Sequence, residues 1–190
     1  IVISSSVDPH DGVLERELRE LVSSVAVPVF VGGATSVRHR RAITTAGAIP
    51  LGVEPLPARE LGDRKARNYA ILENWASFGK VTGMCFFGPA PRSFIAVDEI
   101  VQLVRAVTGW DVALDDLLRI GERATNLARA FNVLHGFSRT DDTLPPRLFE
   151  PLPCGPMEGV AISKPEFERT MGALYELKGW NPVTAAPTRD

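Results

Sequence analysis

The sequence is short of cysteine and histidine and has no excess of either charge. Its two cysteines, Cys85 and Cys154, lie far apart and make no disulfide framework, so a reducing cytoplasm is the expected setting. The 21 Lys and Arg residues nearly balance the 23 Asp and Glu residues, for a formal net charge of -2. A basic stripe or polybasic run is missing, which argues against nucleic acid or a membrane surface as a partner. No stretch reaches the ~18 to 20 uninterrupted apolar residues that a membrane helix needs. Ile1 to Ser6 is too short for a signal peptide and lacks a basic start and a cleavage site. The chain opens on Ile rather than Met and is expected to be a fragment, a trimmed chain or the product of an interrupted reading frame.

What remains is an ordinary globular composition, 45% apolar and 23% charged over 190 residues. That suffices for one domain with a sizeable core, or for two small ones. Residues 1–53 read as alternating strand and helix. Ile1 to Ile3 and Val27 to Val31 have the look of short buried strands, and Ile49 to Val53 of a third. Leu14, Leu18, Leu21, Val22 and Val25 recur at helical spacing between the first two, and a second helix is expected over Val37 to Ala46. Pro55, Pro57 and Gly62 mark residues 54–62 as a linker.

Beyond the linker the pattern turns helical. A helix is expected from about Asp63 to Phe78. Ile100, Leu103, Val104 and Val107 form one apolar stripe, with Gly109 placed as a C-cap. Leu114, Leu117, Leu118, Leu127, Ala128 and Phe131 form another, ending near Gly136. Ser163, Pro165 and Glu166 open a last helix with a capping box, expected to bury Phe167, Met171 and Leu174. Residues 143–156 are proline-rich and read as an extended, packed loop. The expected fold class is therefore mixed: a short parallel β/α segment (1–53) followed by a mostly α-helical domain (63–190).

The most specific text is an ordered series between Thr108 and Trp180. It runs through Thr108-Gly109-Trp110-Asp111, Ile120-Gly121-Glu122-Arg123, Asn126-Leu127, Phe131-Asn132 and Gly136. It continues with Ser138-Arg139, Asp141-Asp142, Leu144-Pro145 and Tyr175-Glu176-Leu177-Lys178-Gly179-Trp180. This series resembles the C-terminal region of the aldehyde:ferredoxin oxidoreductase family, over about residues 64–188. The resemblance implies a helical domain that helps enclose a tungsten or molybdenum bis-pterin cofactor. It also implies oxidation of small aldehydes to carboxylates, with electrons passing through a [4Fe-4S] cluster to ferredoxin. The family's D-x-x-G-L-C element corresponds here to Lys80 through Cys85, so Gly83, Met84 and Cys85 are the implied cofactor-binding residues and Cys85 the implied cluster ligand. Lys80 stands at the aspartate position, which reverses the charge and removes an acceptor. A [4Fe-4S] cluster takes four thiolates, and the family's other three come from an upstream C-x-x-C-x-x-x-C run that this sequence lacks. The 190 residues are therefore expected to show no turnover. Without the resemblance, Cys85 reads as a buried small hydrophobe.

Residues 1–53 resemble instead the second half of a cobalamin-binding domain, on Ser4-Ser5-Ser6, Gly32-Gly33 and Gly47-Ala48. Cobalamin is the ligand that likeness implies. The other reading is a plain β/α segment whose glycines serve turns. His10 reads as a turn residue rather than a cobalt ligand. Of the remaining polar residues, Asp141 and Asp142 could form an acid/base pair or tie down a loop through backbone N–H groups. Glu122 and Arg123 read as a structural ion pair or solvated face, His135 as a cation at a helix C-terminus, and Trp75, Trp110 and Trp180 as core or boundary packing.

Overall fold

A computed structural model describes residues 2–4, 30–32, 49–57, 59–85 and 95–188. Four helices dominate these residues: α1 (Asp63–Val81), α2 (Val97–Thr108), α3 (Leu114–Leu134) and α4 (Lys164–Lys178). Helix α1 is the centre, with α3 and α4 packed on it, while α2 packs on α3.

The expected mixed fold class is corrected: the described fold is helical. The only ladder among the described residues pairs two three-residue strands in parallel, β1 (Val2–Ser4) and β2 (Phe30–Gly32). That pair is far below the three or more strands an independently stable sheet needs. The third strand expected over Ile49 to Val53 is a 3-10 turn at Ile49–Leu51. Pro50 offers no N–H to a ladder, and Gly52 turns the chain at φ 80°. Leu51 and Val53 are buried all the same. The helices expected over residues 14–25 and 37–46, the serines at 5–6, His10, and Gly33, Gly47 and Ala48 lie outside the described residues.

The core joins Leu51, Val53, Trp75, Phe78, Val97, Ile100 and Leu117. Each fully buried side chain of this size contributes about 1.5–3 kcal/mol by leaving water. The segment after Gly52 is pinned to α1 by one side chain. Asn68 accepts from Glu54 N at 3.0 Å and donates to Glu54 O at 2.8 Å. A side-chain amide thus does what a neighbouring strand would do. At the start of α1, Gly62 N donates to Thr170 Oγ1 on α4 at 2.7 Å.

Helices α1 and α3 meet at Gly121. A Cβ built there would overlap the Asn74 carbonyl oxygen and lie 2.7 Å from its carbon and 2.9 Å from Phe78 N. Only glycine lets the two backbones approach so closely. One turn on, Thr125 Oγ1 donates to Ser77 Oγ at 3.0 Å across the same crossing.

The helix ends follow their sequence signals. Gly109 adopts the left-handed conformation that ends α2, and Gly179 does so for α4. Ser163 caps α4 by accepting from Glu166 N at 3.4 Å. The buried set on α4 differs from the expected one. Leu174 is buried, but Phe167 and Met171 are only half-buried, while Thr170, Tyr175 and Lys178 are buried. The stripe on α2 is narrower than expected, since Leu103 and Val107 are exposed. Trp75 joins the core and Trp180 sits at its boundary, whereas Trp110 is exposed against expectation.

Candidate functional site

The residues singled out by the sequence lie at the end of α1. Gly83 N donates to Lys80 O at 3.2 Å, and Met84 N donates to Gly79 O at 3.0 Å. These two bonds make a Schellman motif with Gly83 as its left-handed residue, at φ 71°. Gly83 is therefore required by the turn itself. Met84 folds back onto the core cluster, as the residue after such a cap commonly does. Lys80, on the last turn of α1, carries a cation where the helix dipole favours one.

Cys85 comes next and is an exposed free thiol, which corrects its reading as a buried hydrophobe. Cys154 is also an exposed free thiol, in the loop between α3 and α4. No group of three or more His, Cys, Asp or Glu side chains among the described residues could hold a metal ion. The described residues thus bring one thiolate to a cluster that takes four, and do not make a cluster site by themselves.

Sequence reasoning missed the polar centre of the domain. Arg129 leaves α3 and spreads its guanidinium over three partners. Nε donates to Ala185 O at 2.8 Å, Nη1 to Asp142 Oδ1 at 2.9 Å, and Nη2 to Tyr175 OH at 3.0 Å. Nη2 also pairs with Asp142 Oδ2, to which the Tyr175 hydroxyl donates in turn. Arg129 also lies over the Trp180 ring, 4.8 Å from its centroid. Arg139 reaches in from the next loop, with its guanidinium 5.1 Å from the Tyr175 ring centroid and 2.6 Å from Glu168 Oε2.

This network sets the charges of its members. Burial pushes the Asp142 carboxyl up, but hydrogen bonds from Arg129 and Tyr175 and the charges of Arg129 and Arg139 hold it below its ordinary value. Burial and the hydrogen bond to Asp142 push the Tyr175 phenol up to about 12. A general acid or base works best near the pH of the reaction. Here the carboxyl moves down and the phenol up, away from neutrality. Both shifts favour a charged carboxylate and a protonated phenol, the pair of states in which the clamp's hydrogen bonds are made. Asp141 has the separate job expected of it, accepting from Ser138 N at 2.8 Å to tie down the loop.

A second buried charge lies nearby. The Lys178 side chain is 1% exposed, 2.8 Å from Glu73 Oε2 and 2.6 Å from Asn74 Oδ1. A lysine that deep requires such partners. The remaining candidates have modest surroundings. His135 ends α3 with its Nδ1 2.9 Å from Phe131 O and its ring stacked on Phe131 at 4.2 Å. Glu122 is half-buried and Arg123 is exposed.

The chain closes on a tight loop. Trp180 and Pro187 form an antiparallel bridge, and Trp180 Nε1 donates to Asn126 Oδ1 at 2.8 Å. Within the loop, fully buried Ala185 sits at φ 60°, rare for a residue with a Cβ, and its carbonyl is the one Arg129 holds. The family-like text thus converges in space. Ile120-Gly121 makes the helix crossing, Asn126 holds Trp180, and Tyr175, Lys178 and Gly179 are clamp, buried cation and cap.

The family model for aldehyde ferredoxin oxidoreductase, domains 2 & 3, matches residues 21–190, and the chain belongs to that family. The match takes in most of the segment that resembled a cobalamin-binding domain. Among curated relatives, the tungsten-containing aldehyde ferredoxin oxidoreductase of Pyrococcus horikoshii is 32% identical over 124 residues, 64% of this chain and 19% of that protein. The Pyrococcus furiosus protein of the same name is 33% identical, with the same shares covered. An aliphatic sulfonate oxidoreductase, WOR-like subunit, of Pyrococcus furiosus is 31% identical over 90 residues, 44% of this chain and 14% of that protein. The chain spans about a fifth of the length of the aldehyde oxidoreductases it matches, 19%. No described helix is long and apolar enough to cross a membrane.

Proposed function

We propose that this chain is the helical C-terminal part of an oxidoreductase that oxidises small aldehydes to carboxylates and passes the electrons to an iron–sulfur acceptor, ferredoxin. The observation that carries this reading is the family match across residues 21–190. The end of α1 supports it locally, because the Gly83 cap stops the helix and leaves Cys85 exposed two residues later. In this reading Cys85 is one thiolate of a [4Fe-4S] cluster, and Gly83 and Met84 border a tungsten or molybdenum bis-pterin. When bound, the metal and its pterins supply the two-electron chemistry and the cluster carries electrons away. The chain's own task is to hold Cys85 at a fixed point beside a rigid core. One thiolate holds no cluster, so the 190 residues alone are expected to show no turnover.

The test is iron content and the electron paramagnetic resonance of the reduced cluster. The chain is produced together with the upstream part of the family polypeptide and reconstituted without oxygen. Cys85→Ser is expected to lose most of the cluster signal, and Cys154→Ser to keep it. Equal signals from the two variants would reject the ligand role of Cys85.

A further inference from the structure

Helix α3 changes character along its length. Its first half shows water a charged face, with Asp115, Arg119 and Arg123 exposed. Between Arg123 and Arg139 the only Asp, Glu, Lys or Arg is Arg129, and that side chain is turned into the clamp. The outer face of the second half carries Leu127, Phe131 and Leu134, exposed by 74%, 59% and 84%. At 3.6 residues per turn, these three share one face, turned by roughly 80–140° around the helix from Gly121, which faces α1. Phe137, also exposed, continues the patch beyond the helix end. A contiguous, charge-free apolar surface has the composition of an interface core.

We propose that the Leu127–Phe131–Leu134 face is the docking surface for the part of the family polypeptide that precedes the stretch this chain shares with its relatives. This rests on the functional reading above. Two observations select that occupant. The family match is described as domains 2 & 3, so at least one further domain exists in the family. The aldehyde oxidoreductase relatives are also far longer than the stretch they share with this chain, which covers 19% of them. The surface it offers is apolar and uncharged, so the facing surface is one that buries Leu and Phe without presenting an unpaired charge.

The probe is a tagged polypeptide holding the preceding part of the family protein from the same source, co-expressed with this chain and passed over a sizing column with light scattering. The wild type is expected to elute with the probe as a one-to-one complex. Leu127→Glu combined with Phe131→Glu is expected to weaken that complex by more than about tenfold. Because both side chains are exposed, the variant alone should melt like the wild type, which separates lost docking from lost folding. If variant and wild type elute with the probe equally, the face is not the docking surface, although the functional reading survives. If the wild type itself fails to bind the probe, both fall. A dimer of the chain alone that the double substitution dissolves would assign the face to a second copy and overturn the proposal.

Discussion

Replacing Gly121 by alanine is expected to loosen the bundle, although alanine is the better helix former. In a free helix the change stabilises by about 1 kcal/mol. Here the added Cβ would overlap the Asn74 carbonyl oxygen and stand 2.7 Å from its carbon. Ordinary carbon contacts lie at about 3.5–4.0 Å and the carbonyl oxygen is nearer still, so α1 and α3 must part by at least about 1 Å. The obstacle is backbone, which cannot swing aside like a flexible side chain. Parting the helices also opens the core beside Phe78 and Leu117, both fully buried. Overpacking of this kind costs about 3 kcal/mol at the upper end of its usual range. After the propensity gain, the net loss is about 2 kcal/mol, or about 4–8 °C in melting temperature for a chain of this size. Gly172 provides the control. It is an exposed interior position of α4 with nothing within 4 Å of its would-be Cβ. Gly172→Ala is therefore expected to stabilise by about 0.5–1 kcal/mol. Thermal melts followed by circular dichroism decide the matter. A Gly121→Ala protein as stable as the wild type, or substitutions of equal sign, would refute the close-crossing argument.

Four further outcomes follow from the same geometry. Arg129→Met strips the Asp142 carboxylate of its cationic partner, leaving it only the Tyr175 hydroxyl, and leaves the Ala185 carbonyl without its Arg129 donor; it is expected to cost about 3–5 kcal/mol in denaturant titrations. The Asp142 carboxyl is held below its ordinary value, so its contribution is present above the unfolded pKa and is lost as pH falls through the lower folded value. Asp142→Asn should flatten that acid limb of the stability curve and leave the protein weaker near neutrality. Tyr175 titrates at about 12 in the folded state against an ordinary 10.0. Its contribution is present below pH 10 and disappears as pH rises through about 12, so Tyr175→Phe should reduce the alkaline sensitivity measured by melts at high pH. Gly83→Ala places a Cβ on a residue at φ 71°, and is expected to cost about 1–2 kcal/mol and to fray the end of α1 in hydrogen exchange.

Much of this protein is legible in its residues, for a physical reason. Helix starts and stops are local, so Gly109, Gly179 and the Ser163 cap sit where their turns require them. The apolar stripes beginning at Ile100 and Leu114 located two helices because burying one face needs only the helical period. The order of short motifs from Thr108 to Trp180 fixed the family. Local signals failed where a distant partner decides the outcome. Pro50 and Gly52 outweighed the apolar run 49–53, and just beyond it Glu54 pairs with the Asn68 side chain instead of a strand. Only packing shows that Gly121 is a crossing point and not a turn, because the obstacle is a carbonyl 47 residues away in sequence. The charge on Arg129 looks no different in the chain from that on Arg123. The fold turns one inward onto Asp142 and Tyr175 and leaves the other in water. Leu127 and Phe131 fit the same stripe as Leu117, yet Leu117 is buried and the other two are exposed. Periodicity gives a helix its faces; what each face meets depends on neighbours that the tertiary structure alone supplies.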